Sequence, residues 1–219
     1  VKKGDRLFIL GPNGCGKSTL IKILMERLLP TAGSIEYGYN VEVGYYDQEN
    51  QNLSPENTVL DELWNAYPAS TQTELRSVLA AFMFRGDDIE KTVSVLSGGE
   101  RARLTLAKLI FSRMNLLILD EPTNHLDISS REALENALTE FGGTVIAVSH
   151  DRYFISKLAT RIAAFDGNGI IDFHGTYEEY LAYLERRKSD SEAPQVVEQA
   201  PSAGKEAYLE RKKEAAEIR

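Results

Sequence analysis

Short apolar runs alternate along the chain with longer stretches whose apolar residues recur every third or fourth position. Arg6–Leu10 is a compact run that meets a glycine-rich turn and reads as a buried strand. Ser18–Leu29 carries Leu20, Ile21, Leu24 and Leu28 at helical spacing and is stopped by Pro30. Two short strands, Ser34–Tyr37 and Val41–Tyr46, are expected around a Gly-Tyr-Asn turn. The helical pattern returns from Pro55 to Phe84, with a polar break at Pro68–Thr73, and again over Gly98–Ser112. Leu116–Leu119 and Thr144–Val148 are continuous apolar strands, each followed by a helix, Ser130–Glu140 and Tyr153–Ala159. Arg161–Phe165 and Ile170–Phe173 straddle Asp166-Gly167-Asn168-Gly169, whose Asp-Gly and Asn-Gly pairs favour a hairpin. Strands alternating with helices predict an α/β domain with a parallel-rich sheet. The helix-only stretch from about residue 52 to 112 interrupts that alternation and predicts an inserted helical subdomain.

The body is expected to span residues 1–187. Residues 188–204, rich in Ser, Ala, Pro and Glu, read as a linker. Residues 205–219 are charged and helix-prone, and read as the start of a helical C-terminal extension opening a coiled coil. Eight acidic and eight basic residues cancel over 185–219, so the net charge of -8 sits on the body. That balance argues against charge-driven binding of DNA or RNA by this piece alone. One cysteine, Cys15, excludes an internal disulfide framework and points to a reducing, cytoplasmic setting. There is no apolar run long enough to span a bilayer and no signal peptide pattern, so no membrane insertion is expected. The chain opens almost directly on a strand, which reads as a piece of a longer protein.

Chemistry enters at Gly11-Pro12-Asn13-Gly14-Cys15-Gly16-Lys17-Ser18, a full match to G-x-x-x-x-G-K-[ST] between an expected strand and an expected helix. Glycines let backbone N–H groups curl round an anion where a Cβ would clash. The helix start directs its positive dipole end at the phosphates, Lys17 brings a mobile cation, and the Ser18 hydroxyl is a Mg²⁺ ligand. Such surroundings also favour a thiolate, so Cys15 is expected to be alkylated readily and shielded by bound phosphates.

Leu116-Leu117-Ile118-Leu119-Asp120-Glu121 is an apolar strand that ends in two carboxylates. Charges belong at the carboxyl end of a buried parallel strand, where ligands bind. Asp120 would hold Mg²⁺ through water, and Glu121 could polarise the attacking water. Leu96-Ser97-Gly98-Gly99-Glu100 opens a helix with exposed N–H groups, a second anion site.

In this order, LSGGE, LLILDEPTNHLD and VSHDRYF resemble an ATP-binding-cassette (ABC) nucleotide-binding domain of the P-loop NTPase class. More narrowly they resemble the ABC-F group, cassette proteins without membrane domains that act on ribosomes. The resemblance covers residues 4–184 and implies a role for each matching position. Gly11 to Ser18 with Thr19 would form the Walker A loop that takes ATP. Gln48 would sense Mg²⁺ and the γ-phosphate. Ser97, Gly98 and Gly99 would close over a partner domain's ATP. Asp120 would serve Mg²⁺, Glu121 would be the catalytic glutamate, Asp127 the D-loop aspartate, and His150 the switch histidine. His125 and His174 have no such context. The family's adenine-stacking aromatic lies upstream of the first strand, before this chain starts.

Glu100 in place of glutamine, and the sequence EPTNHLD, favour the ABC-F group. The spacer and charged tail resemble the segment after the second cassette of a tandem protein. The implied function is ATP hydrolysis in composite sites shared with a second cassette, with the ribosome or ribosomal RNA as partner of the whole protein. The alternative is the energy-coupling subunit of a membrane transporter, told apart by whether ribosomal particles or membranes co-purify. A chromosome-maintenance ATPase head would separate its Walker A and signature by a long coiled coil, and no heptads lie between Ser18 and Ser97. A purely regulatory ATP-binding module fits poorly with an intact Glu121 and His150.

Overall fold

The computed structural model describes residues 1–46, 53–112, 114–124, 126–167 and 169–192, with side chains described through Arg187. Residues Val1–Leu181 form one compact unit. It is built on a sheet of six strands: β1 (Arg6–Leu10), β2 (Val43–Tyr46), β3 (Leu116–Asp120), β4 (Thr144–Val148), β5 (Arg161–Phe165) and β6 (Ile170–His174). Their order is β2-β3-β4-β1-β5-β6. The first five run parallel, and β6 returns antiparallel along β5 as the hairpin pattern predicts. The fold is therefore α/β with a parallel-rich sheet.

Strand composition follows position in the sheet. All five residues of β4 are buried, as are Leu116–Leu119 of β3 and Leu7–Ile9 of β1, because helices cover both faces there. At the edge, β6 alternates between exposed and half-buried residues. One face presents Leu7, Ile9, Leu116, Ile118, Ile146 and Val148 to Ile21 of α1 (Lys17–Leu24). On the other, Phe8 meets Phe154 of α6 (Arg152–Leu158) edge to face at 5.5 Å. Each such side chain contributes about 1.5–3 kcal/mol by leaving water.

Between β2 and β3 the described chain is helical: α2 (Val59–Ala66), α3 (Gln72–Ala81), two short 3₁₀ turns and α4 (Gly98–Phe111). Val59, Leu60 and Leu63 of α2, Leu75 and Leu79 of α3, and Leu104 of α4 are buried. α5 (Ile128–Glu140) connects β3 to β4. α7 (Tyr177–Glu192) runs past Arg187 into the first residues expected to be linker. The remainder of that stretch, and the extension at 205–219, lie outside the described residues.

Two local expectations are corrected. The first helix ends at Leu24 rather than Leu29, because Glu26 takes a left-handed backbone (φ 55°) and Arg27 N–H closes back on Lys22 O at 2.9 Å. Leu29 is left 88% exposed, so its place in the helical period buries nothing. Ser34–Tyr37 is not a strand: it has no ladder partner among the described residues, and alternation alone does not supply one.

A nucleotide cleft at the carboxyl ends of the strands

Three strand ends converge on one cleft of about 440 Å³. After β1 comes the glycine loop, which contributes Asn13, Gly14 and Gly16, with Lys17, Ser18 and Thr19 from the start of α1. From the end of β3 come Asp120 and Glu121, with Asn124 beyond them, and from β4 come Val148 and His150. A second cleft, about 590 Å³, lies at the amino ends of β3 and β4 and is lined by none of the candidate catalytic, phosphate-binding or metal-binding residues. Size does not locate the chemistry here; the convergence of polar groups does.

The glycine loop has a backbone few other residues could adopt. Gly14 (φ 79°) and Gly16 (φ 105°) lie in the left-handed region with open space where a Cβ would stand. At Gly11 a Cβ would sit 2.8 Å from Cys15 Sγ and 2.9 Å from Phe165 Cβ. The loop is thus pressed against β5 on one side and open on the side facing the cleft. The Cys15 sulfur is half-buried beside Gly11, and Cys15 is not among the residues that line the cleft.

Lys17 is buried, and its Nζ donates to Gly11 O at 2.9 Å and Pro12 O at 3.0 Å. The cation is stored on the loop's own carbonyls, one side-chain rotation from an anion. Ser18 and Thr19 are exposed in the first turn of α1, whose start carries no side-chain cap, leaving its N–H groups facing the cleft.

Glu121 adopts φ 48°, an uncommon backbone for a non-glycine residue and one found at functional sites. Its N–H donates to Val148 O at 2.9 Å, which pins the end of β3 to β4. The carboxylate then meets His150: Oε1 lies 3.5 Å from Nε2, and Oε2 accepts the His150 backbone N–H at 3.3 Å. Burial pushes the Glu121 carboxyl above the usual glutamate range. His150 and, more weakly, Lys17 draw it down, while Asp120 adds to the rise. Glu121 and His150 therefore present a carboxylate and an imidazole side by side in the cleft.

Ser97 and the two glycines after it begin α4. The Ser97 hydroxyl accepts the Glu100 N–H at 3.3 Å, and Glu100 Oε2 accepts the Ser97 N–H at 2.8 Å and its hydroxyl at 2.7 Å. This reciprocal cap lowers the Glu100 pKa and gives that residue a structural role unread from the sequence. Ser97, Gly98 and Gly99 do not line the cleft of this chain. Asp127 caps α5 through Ser130 N–H at 2.8 Å. Gln48 and His125 lie outside the described residues. His174 stands on β6, 3.9 Å from Asp172.

Sequence reasoning missed Asn124 in the cleft wall and the buried Thr123–Ser149 hydroxyl pair at 3.4 Å, behind Glu121 and His150. It also missed Asp151, which caps α6 by accepting Tyr153 N–H at 3.0 Å and Phe154 N–H at 3.2 Å. The N-cap signature, an aspartate just before an apolar helical run, was present for Asp151.

No group of three or more His, Cys, Asp or Glu side chains suited to a metal occurs among the described residues. The donors that do face the cleft, the Ser18 hydroxyl and the Asp120 carboxylate, are hard oxygens of the kind Mg²⁺ takes. That ion usually draws few ligands from protein and the rest from water and phosphate, so this donor set fits it.

A family model described as ABC transporter matches residues 1–124. The chain is 47% identical to YdiF of Bacillus subtilis over 214 residues, 95% of this chain and 33% of that protein. It is 43% identical to ABC transporter F family member 5 of Arabidopsis thaliana over 183 residues, 83% of this chain and 26% of that one. The ATP-binding protein Uup of Haemophilus influenzae is 44% identical over 176 residues, 77% of this chain and 27% of Uup. This chain thus spans about a third of the length of the relatives it matches, or less. Among solved structures, RNase-L Inhibitor superposes with a TM-score of 0.67 at 27% identity, over 85% of this chain and 38% of that one. The family match extends over more than half of the chain and includes the glycine loop, the Ser97 helix start and the Asp120–Glu121 strand end: the chain belongs to the ABC transporter family, as an ATP-binding cassette of the F type.

Proposed function

We propose that this cassette hydrolyses ATP in a composite site completed by a second cassette, and that the whole protein acts on the ribosome in translation, in the cytoplasm. The observation that carries the hydrolytic reading is the Glu121–His150 pair, 3.5 Å apart in the same cleft as Lys17. The β- and γ-phosphate oxygens are received by loop N–H groups from Gly14 to Ser18, with Thr19 alongside. Lys17 exchanges the Gly11 and Pro12 carbonyls for phosphate. Ser18, Asp120 and Gln48 would hold Mg²⁺, which neutralises phosphate charge when bound. Glu121, made more basic by burial and kept ionised by His150, accepts a proton from the water that attacks the γ-phosphorus, and ADP departs with the bond electrons. His150 steadies the γ-phosphate. Ser97, Gly98 and Gly99 lie outside this cleft, and the N–H groups of Gly98 and Gly99, at a helix start held by the Ser97–Glu100 cap, would supply the closing donors to a neighbour's ATP.

The ribosomal partner rests on the resemblance to the ABC-F group. The described residues hold no helix long and apolar enough to cross a membrane. Residues 1–187 would act as the cassette, with about 52–112 as its helical subdomain, 188–204 as a linker and 205–219 as the start of a helical extension.

The test is nucleotide affinity and phosphate release for two variants. Lys17→Ala is expected to weaken ATP binding about 10- to 100-fold, the size of one charge-assisted contact. Glu121→Gln is expected to bind ATP normally and lose about 10²- to 10⁴-fold in turnover, the range for a general base. Normal turnover by Glu121→Gln would refute the assignment of Glu121.

A further inference from the structure

His150 is 57% exposed and cannot be held by packing, so its backbone must be held from its flanks. On one side, Ser149 Oγ accepts the Asp151 N–H at 3.1 Å and is itself buried beside Thr123. On the other, Asp151 divides its carboxylate between two tasks. Oδ1 caps α6, and Oδ2 lies 3.2 Å from Nη1 of Arg131. Arg131 stands in the first turn of α5, and its Nε donates to Leu126 O at 3.2 Å, the carbonyl just before Asp127. One guanidinium therefore bridges the segment after β3 and the segment after β4. Those segments carry Glu121 and Asp127 on one side and His150 on the other.

We propose that Arg131 is a positioning residue for hydrolysis. Its planar fork fixes the spacing of the two segments and so keeps His150 in register with Glu121. The proposal rests on the reading of Glu121 and His150 as the hydrolytic pair. Stability is not the reason for the bridge. The Arg131 side chain is 44% exposed, and ion pairs so open to water contribute little to folding. Geometry is the reason: two donors in one rigid plane set both a distance and an orientation, which the flexible point charge of lysine does not. Small displacements between reacting groups are costly in rate even where binding is unaffected.

The experiment measures ATP turnover, ATP affinity and melting temperature for the 219-residue chain. The variants are Arg131→Met, Arg131→Lys, Asp151→Asn, the Arg131→Met/Asp151→Asn double, and Glu121→Gln. Asparagine caps a helix about as well as aspartate, so Asp151→Asn removes the charge pair and keeps α6 capped. Arg131→Met should lower kcat about fivefold to tenfold with ATP affinity within about twofold and little change in melting temperature. Arg131→Lys should recover only part of the loss. The double variant should cost no more than the worse single one, because both substitutions break one shared contact. Wild-type kcat in Arg131→Met, a loss of affinity equal to the loss of kcat, or additive losses in the double variant would each overturn the proposal. Wild-type turnover by Glu121→Gln would instead overturn the hydrolytic reading beneath it. An inactive Glu121→Gln beside a fully active Arg131→Met would overturn the positioning role alone.

Discussion

Burial of the Glu121 carboxyl has a cost that pH should expose. Burial raises its pKa above the ordinary 4.5, against the pull of His150. A carboxyl raised in the folded state keeps its proton at a pH where the unfolded chain has already released it. The folded form is favoured below the raised pKa, and that advantage is lost as pH climbs from 4.5 through the raised value. Above this window the buried charge opposes folding. Glu121→Gln is therefore expected to melt higher than the wild type at pH 7, with the gain fading as pH falls to about 4. Calorimetry at both pH values decides it, and an equal gain at each would show that burial of the charge is not responsible. Turnover should depend on the same ionisation. It declines as pH falls through the raised pKa, at a higher pH than for an ordinary glutamate, because the base must be ionised to act.

The helices are defined by caps, and two of the ion pairs that tie them together, of different quality, hold buried glutamates. Thr58, Thr71, Ser97, Asp127 and Asp151 each cap a helix through a side-chain oxygen. Glu135 of α5 is 2% exposed and is held by Lys157 of α6 at 2.8 Å. Glu62 of α2 is 3% exposed and is held by Lys108 of α4, but it also accepts from Asn57 Nδ2 at 2.8 Å and Ser54 N–H at 3.2 Å. Removing a lysine leaves the first carboxylate buried without its partner and the second still supported. Lys157→Met is expected to cost about 2 kcal/mol and Lys108→Met about 1 kcal/mol. Urea unfolding of the two variants compares them directly. A larger loss for Lys108→Met would show that the neighbouring donors do not compensate Glu62.

In the whole molecule, Ser97, Gly98 and Gly99 are not among the residues that line the cassette's own cleft. Large apolar side chains stand exposed beside the motif residues: Val95 before Ser97, Ile128 after Asp127, and Tyr153 after Asp151. If each ATP is closed in by the Ser97 helix of a second cassette, a single copy lacks half of its donors. The chain is then expected to be monomeric without nucleotide. A higher mass is expected with Mg-ATP only in the Glu121→Gln variant, where closure is not undone by hydrolysis. Light scattering with and without Mg-ATP measures this. A stable dimer of the wild type in the absence of nucleotide would contradict it.

Features set by near neighbours are legible in the sequence alone. The glycine loop is contiguous, so its ability to wrap an anion comes from residues within one turn of each other. The continuous apolar strands, the helical repeats and the hairpin after Phe165 depend on periodicities of a few residues. The end of the first helix escapes that reading because a left-handed Glu26, not Pro30, turns the chain. Ser34–Tyr37 escapes it because a strand needs a partner that its own sequence does not contain. Everything that joins distant residues is decided by packing. The sheet order places β1 between β4 and β5, and only this brings the glycine loop beside the ends of β3 and β4. Glu121 and His150 meet across 29 residues, and Arg131 and Asp151 across 20. The rest on Gly11 and Pro12 that stores Lys17, and the placing of the Cys15 sulfur beside Gly11, depend on which side of the loop β5 presses. Short-range sterics and hydrogen bonding choose the elements, whereas the burial of shared apolar faces chooses which ends come together, and chemistry happens at those ends.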